Sequence, residues 1–274
     1  MIEVIDRIPL HPGRVRLIPV AGQANTYDMV RADEPIEPGT PINRALFQSF
    51  IDDMSAIRQQ VDDKLFEISN RVRVGDLIDG TVFGLYENGV LVPFIKVSSN
   101  YPATGRILAV RQNCITKDVL MNEGEQYYEN CKTDRWLSNE YISMLDTITQ
   151  AVISTVSVIV VGPNGLRSLT RKAFLLSSYE YQLTDYVVLE GSSIPYFSNA
   201  NRRIATLDGT PVAHWTRSLG TNQAAYITVS GGSAVDNFTT FVAGIRPALT
   251  LPIDFEVTVG IPSTENVMAT AEVI

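Results

Sequence analysis

The sequence predicts an α+β protein in three parts: a short β-rich N-terminal leader, one long amphipathic helix, and a larger domain of short antiparallel strands with some helix. Three observations predict this. Short apolar pairs broken by Pro and Gly fill residues 1–43. Apolar residues then recur at alternating three- and four-residue spacing over 41–72. From Gly75 onward, brief β-branched runs alternate with Gly and Asn turns. Period-2 runs between turn residues read as strands, and 3-4 spacing reads as helix. The order lacks the regular strand–helix alternation of a doubly wound nucleotide fold.

Composition narrows the function classes. The chain has 274 residues, 45% hydrophobic and 19% charged, so it is globular rather than disordered. A core of ~190 residues buries roughly 70% of its unfolded surface and needs no staples. Thirty acidic against 22 basic residues give a net charge of −8. That argues against a nucleic-acid partner, which demands a basic stripe, and against anionic membrane surfaces. No secretory signal is expected from the first residues, and the longest apolar runs, such as 151–162, are too short to span a bilayer. Cys114 and Cys131 are the only cysteines. They make neither a disulfide framework nor a tetrahedral zinc site, and are expected to be buried thiols.

In the leader, Val15/Leu17 and Tyr27/Met29/Val30 alternate with polar residues, with turns expected at His11-Pro12-Gly13 and Ala21-Gly22. Two or three such strands are too few to hold a core alone. The arm either packs on its own domain or docks onto another subunit. Thr40-Pro41 then fits an N-cap followed by Pro at the first helical position. Phe47, Met54, Val61 and Ile68 repeat every seven residues, Phe50 and Ile57 fill the second seam position, and Lys64 interrupts it beside Leu65 and Val72. Asp52, Asp53, Arg58, Gln59, Asp62, Asp63 and Glu67 carry the other face. Residues 44–73 therefore read as a coiled-coil helix. Three heptads are marginal for an isolated helix, so something must cover the seam. Its own globule or identical chains are the two possibilities.

The domain over 74–259 opens with a strand at 81–86, a Glu87-Asn88-Gly89 turn and a strand at 90–97. "RILAVRQNCITK" adds one more. A helix follows, with Trp136, Ile142, Leu145, Ile148 and Ile153 on one side, then a strand at 156–161 and a buried strand at 172–181. "AHWTRSL", "AAYITVSGG" and "FTTFVAGIRPALTL" complete a small antiparallel sheet, and 260–274 form a C-terminal tail. Arg is a poor core residue unless paired, and Pro tolerates only strand starts, edges and bulges. Arg246-Pro247 inside an apolar run therefore asks for a structural reason, or else for a surface role of Arg246.

Several motifs occur in a specific order: Phe174-Leu175-Leu176-Ser177, Tyr179-Glu180, Trp215-Thr216-Arg217-Ser218-Leu219, and Gly244-Ile245-Arg246-Pro247-Ala248-Leu249. Over residues 75–252 this resembles a family of domains in prophages of Gram-positive bacteria that carries a Gly-Val-Arg-Pro-Ala-Leu motif. Thr216 and Leu219 depart from its Leu and Pro. The resemblance implies a C-type-lectin-like fold, related to formylglycine-generating enzymes and to the variable proteins of diversity-generating retroelements. It implies structural roles for Arg217, Arg246 and Pro247. The guanidinium groups would pin loop carbonyls or a carboxylate such as Glu180 or Asp208, and the proline would start or edge the last strand. Pro12-Gly13-Arg14, Tyr27-Asp28, Ala32-Asp33-Glu34-Pro35 and Gly39-Thr40-Pro41-Ile42-Asn43 resemble the tail-attachment leader of phage tail-fibre and receptor-binding proteins.

An enzyme is not expected. His11 and His214 lie in different segments, and there is no Gly-x-Ser-x-Gly elbow or phosphate loop. No cysteine follows Cys131, so the copper-binding pair of formylglycine-type enzymes is missing, and the calcium motifs of animal lectins are missing too. No metal or cofactor is expected. Glu180 and Asp208 are candidate carboxylates for glycoside cleavage, but acidic residues are common and a salt bridge or a turn is the favoured explanation. The resemblances imply a homo-oligomer, most simply a trimer, in the virion tail. It would have partners in the phage tail or baseplate and on the bacterial surface, and no membrane insertion. The alternative is a structural tail subunit, with a depolymerase a distant third. The oligomeric seam is Phe47, Phe50, Met54, Ile57, Val61, Leu65 and Ile68. Receptor contacts are expected from His214, Thr216, Asn222, Gln223, Tyr226, Thr228, Ser230, Asp236, Asn237, Thr239 and Phe241. Strand alternation would turn these outward, with Ile227, Val229 and Val242 facing the core.

Overall fold

The computed structural model describes residues 8–9, 15–24, 27–31, 35–37, 44–122, 127–185, 188–220, 223–236 and 240–260. They are mixed α+β and divide into two compact units, Met1–Leu65 and Phe66–Ile274. Among the described residues no helix is long and apolar enough to cross a membrane.

The first unit holds two small antiparallel pairs. β1 (Ile8–Pro9) pairs with β4 (Pro35–Glu37), and β2 (Val15–Pro19) pairs with β3 (Tyr27–Arg31). The β2–β3 connection passes through Ala21-Gly22, where Gly22 takes a φ of +82° that a side chain would oppose. The expected His11–Gly13 turn and the Thr40 cap lie outside the described residues. Leu17, Ile18 and Tyr27 remain exposed.

α1 spans Arg44–Ser69, and pairs such as Gln48–Asp52 and Gln59–Asp63 support it across single turns. Phe50, Met54, Ile57, Val61, Leu65 and Ile68 are each between 51% and 68% exposed. The side chain of Phe47 lies outside the described set. The helix is shorter than the heptad pattern predicts. Asn70 closes it by donating its backbone N–H and its side-chain amide to the Phe66 carbonyl. Arg71–Arg73 is then a strand, β5, so Val72 belongs to a sheet and not to the seam.

The second unit carries two larger sheets. β6 (Val82–Glu87) and β7 (Val90–Ser98) form a hairpin whose turn residues Asn88 and Gly89 both have positive φ, the two-residue geometry that Asn-Gly favours. β8 (Ile107–Arg111) and β9 (Thr116–Leu120) follow. Residues 132–144 are helical. Leu145 then turns extended, and Asp146 caps a new helix, Thr147–Val152, by accepting from the Ile148 and Thr149 N–H groups. That restart rotates Ile148 to the surface, against expectation, while Leu145 and Ile153 are buried.

β10 (Val156–Gly162) and β11 (Gly165–Arg171) make a separate hairpin. β12 is only Ala173–Phe174, not the strand expected over 172–181. The segment after it stays buried but turns, because Glu180 draws the Ser177 N–H into its carboxylate. β13 (Ala205–Leu207) and β14 (Thr210–Val212) flank an Asp208-Gly209 turn. β15 (His214–Leu219), β16 (Ala224–Ile227), β17 (Ser233–Asp236), β18 (Val242–Ile245), β19 (Ala248–Leu251) and β20 (Glu256–Val259) complete the unit.

The seven-stranded sheet runs β12-β19-β8-β7-β6-β20-β5, and the five-stranded sheet runs β17-β16-β15-β18-β9. The expectation of one small antiparallel sheet therefore needs correcting. Among the described residues there are two larger sheets, "RILAVRQNCITK" supplies β8 to one and the start of β9 to the other, and β15 pairs with β18 in parallel. Phe83, Phe94, Leu108, Val110, Phe174, Leu249 and Leu251 fill the core of the larger sheet.

Candidate functional site

The Arg-Pro step is the crossing between the two sheets. β18 belongs to the five-stranded sheet and β19 to the seven-stranded one, with Arg246-Pro247 between them. Pro has no N–H to give to a ladder, so it suits the residue just before a strand starts. Its carbonyl accepts from the Arg111 N–H at 2.9 Å, next to the β19–β8 pairing. β19 is neither an edge nor the last strand, since β20 follows it. Arg246 is buried, and its Nε–H donates to the Arg111 carbonyl at 2.9 Å and Nη1 to the Arg203 carbonyl at 3.3 Å. Gly244 is required by close approach: a Cβ there would lie 2.7 Å from the Cys114 Sγ and 3.0 Å from the Thr116 carbonyl. Burial pushes the Cys114 thiol up to about 11, so it is inert at neutral pH.

Arg217 has a carboxylate partner. Its guanidinium meets Glu180 in a two-bond fork, Nη1 to Oε2 at 2.6 Å and Nη2 to Oε1 at 2.7 Å, with both side chains at most 1% exposed. Nε–H also donates to the Ile159 carbonyl, and Nη1 to the Leu175 carbonyl. Glu180 further accepts from the Tyr101 hydroxyl at 2.7 Å and from the Ser177 N–H at 3.0 Å. Burial, followed by the charge of Glu180, raises the Tyr101 hydroxyl well above its ordinary value. Both carboxylate oxygens are thus committed to internal donors, which leaves Glu180 without the solvent access that glycoside chemistry needs. Asp208, the other candidate carboxylate, sits in the β13–β14 turn with a φ of 50°.

A second buried carboxylate, Glu190, was not singled out by sequence reasoning. It accepts from the Val161 N–H at 2.7 Å and the Ser218 hydroxyl at 2.6 Å, and desolvation pushes it up to about 7. The next residue, Gly191, gives the only local signal. A Cβ there would meet Glu180 Oε1 at 2.6 Å.

The expected receptor residues divide into three groups. His214 and Thr216 are buried, and every residue of β15 is buried with them. Alternation fails because both faces of β15 are covered, so these two are withdrawn as surface contacts. His214 lies edge-on to Tyr181, and Thr216 donates to the Ala225 carbonyl. Burial and the nearby Arg246 charge hold the His214 imidazole well below its usual value. Asn222, Asn237 and Thr239, with the side chain of Asp236, lie outside the described residues. Gln223 and Ser230 are exposed, and Tyr226, Thr228 and Phe241 are half-buried. Ile227 is buried as expected, but Val229 and Val242 are exposed rather than core-facing.

Within the third group the structure brings together an aromatic cluster. Tyr226 and Phe241 stack at 4.3 Å with rings inclined by 26°. Both stand nearly perpendicular to the buried Trp215, at 6.0 and 5.5 Å. Trp215 is fixed from β9, donating its indole N–H to the Val119 carbonyl at 2.7 Å. Partly exposed aromatic rings offer stacking, and a tyrosine hydroxyl a hydrogen bond, at low entropy cost.

Residues 104–253 match a family described as a domain of unknown function, DUF6273. The chain belongs to the DUF6273 family. The match covers more than half of the chain, from just before β8 to just after β19, and includes both buried arginines and the aromatic cluster. Only β12, β19 and β8 of the seven-stranded sheet fall within the DUF6273 segment; β5, β6, β7 and β20 come from outside it. No curated protein and no solved structure matched the chain.

Proposed function

We propose that this protein is a phage tail-fibre or baseplate receptor-binding protein. In this reading residues 1–43 attach the chain to the tail, and α1 joins copies, most simply three, into a stalk. The second unit is a C-type-lectin-like domain that binds a glycan or protein of the bacterial surface. It works by binding, without catalysis, metal or cofactor, and it resides in the virion tail. The observation that carries the reading is the Tyr226–Phe241 stack, partly buried and seated on Trp215. The β5–β20 pairing supports it, because the two ends of the unit meet in one sheet while the five-stranded sheet lies in the excursion between them.

Alanine at Tyr226, and separately at Phe241, tests the reading in host-cell adsorption, with thermal melting as control. Adsorption should fall while the melting temperature of at least one variant is preserved. Unchanged adsorption with an intact fold would leave a structural tail subunit as the better description, and release of reducing sugar would bring back the depolymerase.

A further inference from the structure

A groove of about 410 Å³ opens on one face of the seven-stranded sheet, within the size range of ligand clefts. Arg71, Thr258 and Gly84 stand in one cross-strand row, and Tyr86 and Glu256 lie two residues further along their strands on the same face. Gly84 adds no side chain to that row, which keeps the floor low. The Thr147–Val152 helix forms one wall and the 252–255 turn another. Both walls are fixed. The helix is tied at its start by the Asp146 N–H on the Tyr86 carbonyl at 3.1 Å, and at its end by Arg106 Nη2 on the Val152 carbonyl at 2.8 Å. In the turn, the Phe255 and Ile253 carbonyls accept from the Val74 and Gly75 N–H groups at 2.8 and 2.9 Å. A Cβ on Gly75 would lie 2.5 Å from the Ile253 carbonyl oxygen, so the turn sits directly on that glycine.

The chemistry of the groove is one-sided. Its lining carries three carboxylates, Asp146, Asp254 and Glu256, against one guanidinium, Arg71. Asp146 is engaged in capping its helix and in accepting from the Thr149 hydroxyl. Arg71 reaches Glu256 only at 3.7 Å, with side chains 49% and 59% exposed, a pair that a ligand can displace. Asp254 makes no hydrogen bond or ion pair among the described residues. Leu91, Val152 and Phe255 make the lining apolar between these charges, and the helix and the turn carry the exposed Ile148 and Ile253. We infer that this groove binds a peptide segment through a lysine side chain, with the ammonium at Asp254 and Glu256 and the aliphatic stem along the apolar lining. A saccharide asks for donors as well as acceptors and gains little from Ile148 and Ile253, whereas apolar residues flanking a lysine cover both. The groove shares no residue with the Tyr226–Phe241 face, and the inference does not rest on the receptor reading. Its strands β5, β6, β7 and β20 lie outside the DUF6273 segment, so the family domain alone does not form it.

Isothermal titration of the full chain with acetyl-Leu-Lys-Leu-amide at low salt should show saturable binding with a Kd below about 1 mM. The same peptide with norleucine in place of lysine should bind about fivefold more weakly or worse. No saturable binding up to about 10 mM, or equal binding of the norleucine peptide, overturns the inference. Asp254→Asn combined with Glu256→Gln should weaken the lysine peptide roughly fivefold, and Arg71→Gln, which removes a competing cation, should tighten it roughly twofold. These three side chains are exposed, so the melting temperature should stay within about 2 °C of the parent. Unchanged affinity in the double carboxylate variant overturns the site, and weaker binding in Arg71→Gln overturns the charge argument. Glucosamine, an ammonium on a sugar, should bind more weakly than the lysine peptide; tighter binding overturns the peptide as occupant.

Discussion

Arg217→Met removes the cationic half of the buried Arg217–Glu180 pair. Both side chains are at most 1% exposed, so water cannot replace the lost partner. Two charge-assisted bonds to the carboxylate disappear, at roughly 1.5–3 kcal/mol each. The Ile159 and Leu175 carbonyls lose their donors as well. Breaking a buried pair from one side typically costs about 3–5 kcal/mol, because a charge remains with nothing to balance it. Four kcal/mol is about the centre of that range, and for a unit of this size it corresponds to a melting temperature lower by roughly 8–16 °C. Glu180→Gln should cost about 3 kcal/mol, since the neutral amide still accepts from Ser177 or Tyr101. The double variant should cost well under the sum, with a coupling of about 2–3 kcal/mol. Urea denaturation of the full chain, followed by the fluorescence of Trp215 and Trp136, measures all three. A loss below about 1 kcal/mol for Arg217→Met would refute the view that the pair pins β10, β12 and β15 together.

Glu190 and His214 should give opposite pH slopes. Glu190 is pushed up from 4.5 to about 7 in the folded state, so its contribution is fully present below about 4.5 and is lost as pH rises through 7, amounting to about 3 kcal/mol. Glu190→Gln should abolish that loss, and the variant should exceed the parent at pH 8 in urea midpoint. His214 is held below 6.5, so its contribution is lost as pH falls below about 6.5. In Glu190→Gln stability should therefore rise with pH between 5 and 6.5; a flat profile there would refute the assignment to His214. Gly244→Ala should cost about 1–3 kcal/mol through overpacking against Cys114, and adding Cys114→Ala should recover part of it in thermal melts. Additive effects would place the clash elsewhere.

Local signals made part of the fold legible. The hairpin turn at Asn88-Gly89 and the helical run of α1 need only neighbours in sequence, and a hairpin and a helix stand there, with Glu87 in β6 rather than in the turn. The end of α1 was misjudged because Val72 continues the spacing, while its actual partner, Val257, is far away in the chain. The 172–181 segment has the apolar density of a strand, but Glu180 reorganises it through a side-chain bond to Ser177, and apolar density does not register such a bond. Asp146, by contrast, was readable as an N-cap before Thr147, and its omission placed Ile148 on the wrong face.

The candidate site shows the same limit more sharply. Alternation finds an outward face only when a strand has one, and β15 lies between covered faces, so His214 and Thr216 read as surface residues from sequence alone. Tyr226 and Phe241 are not neighbours in sequence, and no spacing rule predicts that they stack. They meet because the hairpin and the β18 crossover bring β16 and β18 to opposite sides of β15, with Trp215 between them. The buried arginines belong to the same construction. Arg217 fixes β15 from within, and Arg246 fixes the point where the chain leaves the five-stranded sheet for the larger one. With β15 held through Arg217 and the end of β18 held through Arg246, an aromatic face can keep its geometry while the residues around it change. That separation of a rigid frame from its surface is what a binding face requires, and it gives the Arg-Pro step its place in the proposed function.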